Sequence, residues 1–209
     1  MPGWRAKPNA ESETMPTPEY QRFLDSMIIG YVQWHDGEGY DLEALAALSP
    51  EERAAAETVL LMHLATKADW RDVEALAALG TPGAMTAVKF AAKHGDSEVS
   101  NRALEILAAA GPEQAGPELE DDIVRAVQRG ALDLAESHPT PRVKRALLDC
   151  ARLGDPTTRV NAAAMLMYLC GKAPAAFDWN QRPFFLRFDT EDNQELRAAW
   201  MELRERTGV

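Results

Sequence analysis

Histidine and carboxylate side chains lie close together in one segment where they could support acid–base or metal chemistry. Trp34-His35-Asp36 is followed by Asp41. Imidazole titrates near neutral pH, and imidazole and carboxylates both bind divalent metals. No second His or Cys lies at ligand spacing. We therefore favour a structural loop that holds the first two helices together over a catalytic or metal site.

The other three histidines favour structural roles. His63 lies in an apolar helical run, which predicts a partly buried imidazole with a backbone partner. His94 directly precedes a glycine, so it falls in the last turn of a helix, where a partly charged imidazole interacts favourably with the helix dipole. His138 precedes a proline and is interpreted as a turn residue.

Nucleophilic catalysis has little support in the sequence. Cys150 and Cys170 lie in apolar helical stretches with no CxxC motif and no Cys/His cluster nearby, which predicts buried free thiols rather than a disulfide or a metal site. A Gly-x-Ser-x-Gly elbow and a Gly-rich phosphate loop are both missing from the sequence. We expect a protein that is not an enzyme and needs no cofactor, although distant residues could still assemble a site in the fold.

Composition favours a soluble, cytoplasmic protein with a protein partner. The 209 residues, 46% of them hydrophobic, suit one domain. The 33 acidic and 22 basic residues give a net charge of −11, which repels nucleic acids and anionic membranes and favours a basic partner. The sequence also contains no signal-peptide run and no stretch of roughly 18 apolar residues, the length that a membrane span needs.

Capping signals predict where the N-terminal helices begin and end. Residues 1–16 carry three prolines and no apolar period, and we interpret them as a flexible leader. Thr17-Pro18 begins the first helix, Ser49-Pro50-Glu51-Glu52 is a capping box that begins a helix to about Ala65, and Asp69 begins one that ends at Gly80. The first helix places its apolar residues at helical spacing: Phe23, Leu24, Met27, Ile28 and Tyr31.

A helix, a Gly-Asp turn and a second helix recur in the middle of the chain. Thr81-Pro82 begins a helix that ends at His94-Gly95, and Asp96 begins the next; Thr140-Pro141, Leu153-Gly154 and Asp155 repeat the order. Residues 113–137 form a degenerate copy between them, with apolar Leu119, Ile123, Val124, Val127, Leu132 and Leu134. The spacing of about 30 residues per helix pair is typical of helical repeat arrays.

The pattern Asp96-x-x-Val99-x-x-Arg102-Ala103-x-x-x-Leu107 resembles the HEAT repeat family, including its bilin-lyase-like branch, over roughly residues 70–171. The resemblance implies an all-α, right-handed α-solenoid of HEAT-like helix pairs. We expect residues 17–209 to form a single domain with N-terminal helices (17–66), repeat units (69–171) and an aromatic C-terminal cap (172–209). The resemblance also implies that the second helices, 96–109 and 155–169, line a concave binding surface.

Two aromatic segments extend the resemblance. Trp34-His35-Asp36-Gly37 and the block 177–188 together look like bacterial HEAT-repeat proteins found near toxin genes. Arg182-Pro183-Phe184-Phe185-Leu186-Arg187-Phe188 within this block predicts core beneath an irregular segment; exposed, it would instead suit an interface hot spot. A helix is expected from about Asp192 to Arg206.

Charge patterning suggests where a partner binds. The middle unit is acidic, and Arg142, Lys144, Arg145, Arg152 and Arg159 make the following stretch basic. A solvated surface with pairing between neighbouring residues is the simpler interpretation; an acidic patch that docks a basic protein is the functional one. The candidate binding residues are Glu98, Asn101, Glu105, Glu120, Asp121 and Asp122.

Four functions remain after this reasoning. The first is an immunity or antitoxin-type protein that neutralises a basic toxin by occlusion, as the resemblance implies. The second is a scaffold or adaptor subunit of a larger bacterial assembly. A lyase- or chaperone-like role follows only from the bilin-lyase-like branch, and a HEAT-like DNA glycosylase needs a basic concave face that this composition disfavours. The partner, the oligomeric state and the groove curvature stay open.

Overall fold

The computed structural model describes residues 16–209, so nearly all of the predicted leader 1–16 lies outside the described part of the chain. Within residues 16–209 the chain forms helices and connecting turns and no strand, which confirms the predicted all-α class. The helices are α1 (Pro18–Ser26), α2 (Tyr31–His35), α3 (Leu42–Ala46), α4 (Pro50–Thr66), α5 (Trp70–Leu79), α6 (Pro82–His94), α7 (Ser97–Ala110), α8 (Pro112–Ala115), α9 (Leu119–Gln128), α10 (Leu132–Ser137), α11 (Pro141–Leu153), α12 (Pro156–Leu169), α13 (Arg182–Phe185) and α14 (Asn193–Thr207). Short 3-10 turns at Trp179–Gln181 and Leu186–Phe188 flank α13.

The helices begin at the residues that the capping signals predict. Ser49 and Glu52 form both bonds of the capping box on α4. Thr81 and Thr140 accept hydrogen bonds from backbone N–H groups in the first turns of α6 and α11. Gly80 ends α5 at φ +66°, in the left-handed region that favours glycine. These bonds satisfy N–H groups that the first turn of a helix leaves without partners.

The two Gly-Asp turns are alike in atomic detail. Gly95 and Gly154 both have extended backbone, with φ near −70°, so their requirement for glycine comes from crowding. A Cβ at Gly95 would lie 2.7 Å from the carbonyl oxygen of Ala91, and one at Gly154 would lie 2.7 Å from Cγ2 of Thr158. The aspartate after each glycine then caps the next helix. The turn therefore packs two helices closely at the same point of each unit.

Neighbouring helices along the chain pack on one another through a single apolar core. Helix α6 packs on α7 and α11 on α12, while α9 contacts both α7 and α11 and α10 contacts both α7 and α12. Helix α5 joins the N-terminal side of this array, and α14 packs on α11 and α12 at its C-terminal side. None of the helices in residues 16–209 is both long and apolar enough to cross a lipid bilayer.

The apolar period predicted for the first helix continues further than the helix does. Helix α1 ends at Ser26, and Ile28 and Tyr31 are 78% and 76% exposed. The Ser26 hydroxyl donates to the carbonyl of Phe23 and accepts from the backbone N–H of Asp41. A serine side chain bonded in this way competes with continued helix formation. The prediction that the first helix continues through Ile28 and Tyr31 was therefore wrong.

The C-terminal segment is held to α12 by a buried arginine. Arg159 of α12 is 8% exposed. Its Nε donates to the carbonyl of Phe188 at 3.0 Å and its Nη2 donates to that of Thr190 at 2.6 Å. Phe184, Phe185 and Phe188 are buried, which confirms the prediction of core for these three side chains, whereas Leu186 between them is 48% exposed.

Candidate functional site

A cleft of about 590 Å³ lies where α5, α7 and α10 meet the loop before α3. We call it the acidic cleft, and its lining residues are Gly37, Gly39, Trp70, Glu74, Glu98, Asn101, Arg102, Glu105, Ala131, Asp133 and Leu134. Three of the six candidate residues, Glu98, Asn101 and Glu105, lie here together. They share one face of α7 because positions three and four apart on a helix are neighbours.

Carboxylates outnumber cations in the acidic cleft. Glu74, Glu98, Glu105 and Asp133 face a single arginine, Arg102. The Arg102 guanidinium binds Glu74, and its Nη1 lies 2.7 Å from Oε2 of Glu105. Glu98 and Asp133 are exposed and form no ion pair with any residue from 16 to 209. The cleft therefore offers two carboxylates, Glu98 and Asp133, that have no ion-pair partner in the described chain, beside two, Glu74 and Glu105, that Arg102 already binds.

A second hollow of about 710 Å³ continues the acidic cleft along α7 and α10. Arg102, Glu105 and Asp133 border both hollows, and Glu136 and His138 lie at the far end of the second. Glu136 is exposed and, within the described chain, has no cationic partner. The result is one continuous acidic surface.

The other three candidate residues lie elsewhere, on α9. Glu120 accepts from Thr140 Oγ1 at 2.8 Å and pairs with Arg142 at 3.3 Å, and Asp121 pairs with the same arginine at 2.5 Å. Asp122 is 9% exposed and binds Arg125. These carboxylates are occupied by neighbouring cations, and none of the three lines the acidic cleft.

The basic stretch expected after α9 is therefore not one surface. Arg142 forms ion pairs with the α9 carboxylates Glu120 and Asp121. Arg159 is buried and donates hydrogen bonds to backbone carbonyls. The expectation that Arg159 contributes to a basic face was wrong, because the side chain points into the packing of α12 against the C-terminal segment. A count of charges along the sequence cannot distinguish a buried arginine from an exposed one.

The segment from Trp34 to Asp41 divides into an exposed and a buried part. Trp34 is 65% exposed, and His35 and Asp36 contact each other at 3.0 Å on the surface. Tyr40 is buried and packs edge-to-face on Phe23. Only the second part holds the N-terminal helices together. No group of three His, Cys, Asp or Glu side chains within residues 16–209 is placed to hold a metal ion.

A buried polar network joins α4, α5 and the loop before α3, and sequence reasoning missed it. The Asp72 carboxylate is completely buried and accepts from Tyr40 Oη at 3.1 Å. His63 Nδ1 lies 2.8 Å from the same carboxylate oxygen, so the expected backbone partner of His63 was wrong. Burial raises the pKa of Asp72 above its ordinary value. The sequence did contain a signal for part of this network. Asp69 and Asp72 have the spacing of a capping box, in which the Asp72 carboxylate turns back toward the start of α5.

The cysteines follow the prediction of free thiols. Cys150 is buried and Cys170 is half-buried, and neither forms a disulfide. Burial raises the pKa of the Cys150 thiol and also that of Cys170. A thiol with a raised pKa is a poor nucleophile at neutral pH.

The acidic cleft is the site with the clearest recognition chemistry. Exposed carboxylates attract and bind cationic side chains, and Trp70 gives part of the lining an aromatic surface. An apolar pocket suited to a small molecule would have far fewer charged groups. No family model, curated protein or solved structure matches the chain.

Proposed function

We propose that this chain is a protein-binding module built as a HEAT-like α-solenoid, and that its acidic cleft takes up a basic segment of a partner protein. The observation that carries this proposal is that Glu98 of α7 and Asp133 of α10 line one cleft and form no ion pair within residues 16–209. Lysine or arginine side chains entering the cleft would gain charge-assisted hydrogen bonds.

The packing pattern supports the solenoid part of the proposal. In a solenoid each helix pair contacts mainly the pairs before and after it, and α5, α7 and α10 follow one another along one side in this way. The acidic cleft then lies on the surface formed by the second helices of successive units. That is the surface on which HEAT-like proteins are expected to bind partners.

The specific form that we propose is an immunity-type protein. The resemblance to bacterial HEAT-repeat proteins near toxin genes suggests that the basic partner is a toxin, whose active surface the module would occlude. Long-range attraction between the −11 chain and a basic toxin would speed their association.

The test is co-purification of the tagged full chain from its native host in three forms. The forms are the native chain, a cleft variant with Glu98→Lys and Asp133→Lys, and a control variant with Glu120→Lys and Asp121→Lys. Both variants change the net charge equally. We expect a stoichiometric basic partner with the native chain and the control, and its loss from the cleft variant. Equal loss from both variants would contradict the cleft as the binding site.

A scaffold or adaptor subunit is the second candidate. A groove between α11 and α14 that is lined by Arg152, Arg197 and Arg204 favours it, because its charge is opposite to that of the acidic cleft. The two candidates differ in what the partner does alone. A partner that is toxic without this chain, and harmless with it, supports the immunity form. A partner with no toxicity that belongs to a larger assembly supports the adaptor form.

A further inference from the structure

A groove of about 660 Å³ lies between the end of α11 and α14, away from the acidic cleft. We call it the arginine groove, and its lining residues are Arg152, Leu153, Asn193, Leu196, Arg197, Trp200, Met201 and Arg204. The chain has a net charge of −11, yet the part of this lining that residues 16–209 supply contains three arginines and no carboxylate.

The three arginines are free to bind an anion. Arg152, Arg197 and Arg204 are exposed, and none forms an ion pair with a carboxylate within residues 16–209. Glu202, on the same helix, is instead held by Arg187 and Arg206. The hydrogen bond from Arg187 lowers the pKa of Glu202, so that carboxylate stays ionised and paired with those two arginines.

A fixed aromatic ring organises the groove. Trp200 Nε1 donates to the carbonyl of Leu148 at 2.9 Å, which locks the indole against α11. The Arg152 guanidinium lies 5.2 Å from the centre of the indole ring and that of Arg204 lies 6.0 Å from it. Stacking on the ring limits the rotamers of both guanidinium groups before any ligand arrives, which lowers the entropy cost of binding.

The apolar part of the groove indicates the kind of ligand. Leu153 is 78% exposed and Met201 is 57% exposed, both beside the arginines. Trp200 is half-buried beside them, and Trp, Met and Arg are residue types enriched at protein interfaces. A nucleic acid would meet the long-range repulsion of the acidic chain. A short polypeptide that combines carboxylates with apolar side chains matches both halves of the lining.

We propose that the arginine groove between α11 and α14 binds an acidic, partly apolar segment of a second partner protein. Its carboxylates would bind Arg197 and Arg204, and its apolar side chains would cover Leu153 and Met201. This inference does not rest on the acidic cleft. If both surfaces are used, the chain joins a basic partner to an acidic one.

The test measures fluorescence anisotropy of short fluorescein-labelled peptides against the full chain. The probe mixes Asp and Glu with Leu and Phe, and the comparison peptides replace its acidic residues with Gln or with Lys. The groove variant is Arg197→Glu with Arg204→Glu. The control variant, Lys67→Glu with Arg129→Glu, makes the same charge change at two exposed residues away from the groove. Circular dichroism checks that each variant is folded.

We expect the acidic peptide to bind the native chain and the control alike. Binding should weaken about tenfold for each arginine reversed in the groove variant, the loss expected for one hydrogen bond to a charged group. The cleft variant with Glu98→Lys and Asp133→Lys should bind the acidic peptide at least as well as the native chain, so failure of the acidic cleft would not affect this result.

Three outcomes would overturn the inference. The first is equal weakening by the groove and control variants, which would indicate net charge alone. The second is tighter binding of a single-stranded oligonucleotide than of the acidic peptide. The third is self-association of the native chain that the groove variant abolishes, because a second copy of the chain would then occupy the groove.

Discussion

Arg102 and Glu105 form an ion pair along one face of α7, with Nη1 and Oε2 2.7 Å apart. The same guanidinium binds Glu74 across the packing of α5 on α7. Arg102 thus occupies, from within the chain, the place where a cation of a partner would bind. Among residues 16–209, it is the only cationic side chain in the lining of the acidic cleft.

Replacing Arg102 should strengthen binding of a basic peptide. Arg102→Gln frees Glu74 and Glu105, which are both half-buried. A pair that is still partly exposed contributes about 1 kcal/mol, which corresponds to about a fivefold gain in affinity. Anisotropy of a labelled lysine-rich peptide measures the gain, and urea unfolding should show a stability loss of no more than about 1 kcal/mol. Weaker binding by a folded variant would show that Arg102 helps to hold the partner.

The two Gly-Asp turns should respond alike to alanine. Gly95→Ala and Gly154→Ala each place a Cβ within 2.7 Å of a neighbouring atom, and such overpacking costs about 1–3 kcal/mol. Gly30→Ala is the matched control, because its close neighbour is the flexible end of Gln33. Urea unfolding should show a clear loss at the two turns and little at Gly30. Unchanged stability at Gly95 and Gly154 would refute the close approach.

The buried Arg159 should be a main attachment of the C-terminal segment. Arg159→Leu leaves the carbonyls of Phe188 and Thr190 without this donor and should cost about 2 to 3 kcal/mol. Hydrogen exchange over residues 182–190 should become faster. Arg145→Leu, at an exposed position, should change stability by no more than about 0.5 kcal/mol. Unaltered exchange in the Arg159 variant would show that packing alone holds the segment.

Asp72 should make stability depend on pH in a defined direction. Burial raises its folded pKa above the ordinary value of 3.8, so the folded chain binds more protons than the unfolded chain between those two pKa values. The free energy of unfolding of the native chain, relative to Asp72→Asn, should therefore rise as the pH falls through that window. Urea unfolding across the acid range measures it.

His63 and Tyr40 face Asp72 and provide the control for this prediction. The same comparison in a His63→Gln background removes the other group that titrates nearby, and the rise toward acid pH should persist. A difference that stays flat or falls toward acid pH would contradict a raised pKa for Asp72.

Local signals predicted much of the secondary structure. The Thr-Pro and Gly-Asp pairs carry their own physical cause, because each cap bonds within three residues. For the same reason the placement of Glu98, Asn101 and Glu105 on one face of α7 followed from helical spacing. The repeated turn also identified the boundaries of α6, α7, α11 and α12.

Contacts between residues far apart in the sequence could not be predicted from these local signals. The Tyr40–Asp72 bond spans 32 residues and the Arg159–Phe188 bond spans 29. Both depend on how helices pack, which a single periodic pattern does not determine. One signal was available for Arg159, since it lies three and four residues before the buried alanines Ala162 and Ala163. That spacing places it on the buried face of α12.

We propose that the acidic cleft binds basic protein segments through Glu98 and Asp133. The most direct measurement is the affinity of a labelled lysine-rich, partly apolar peptide for the native chain, the Glu98→Lys, Asp133→Lys variant and the Glu120→Lys, Asp121→Lys variant. We predict that the native chain and the Glu120→Lys, Asp121→Lys variant bind with similar, salt-sensitive affinity. The Glu98→Lys, Asp133→Lys variant should lose binding. Equal affinity of the two variants, whether strong or weak, would contradict the claim.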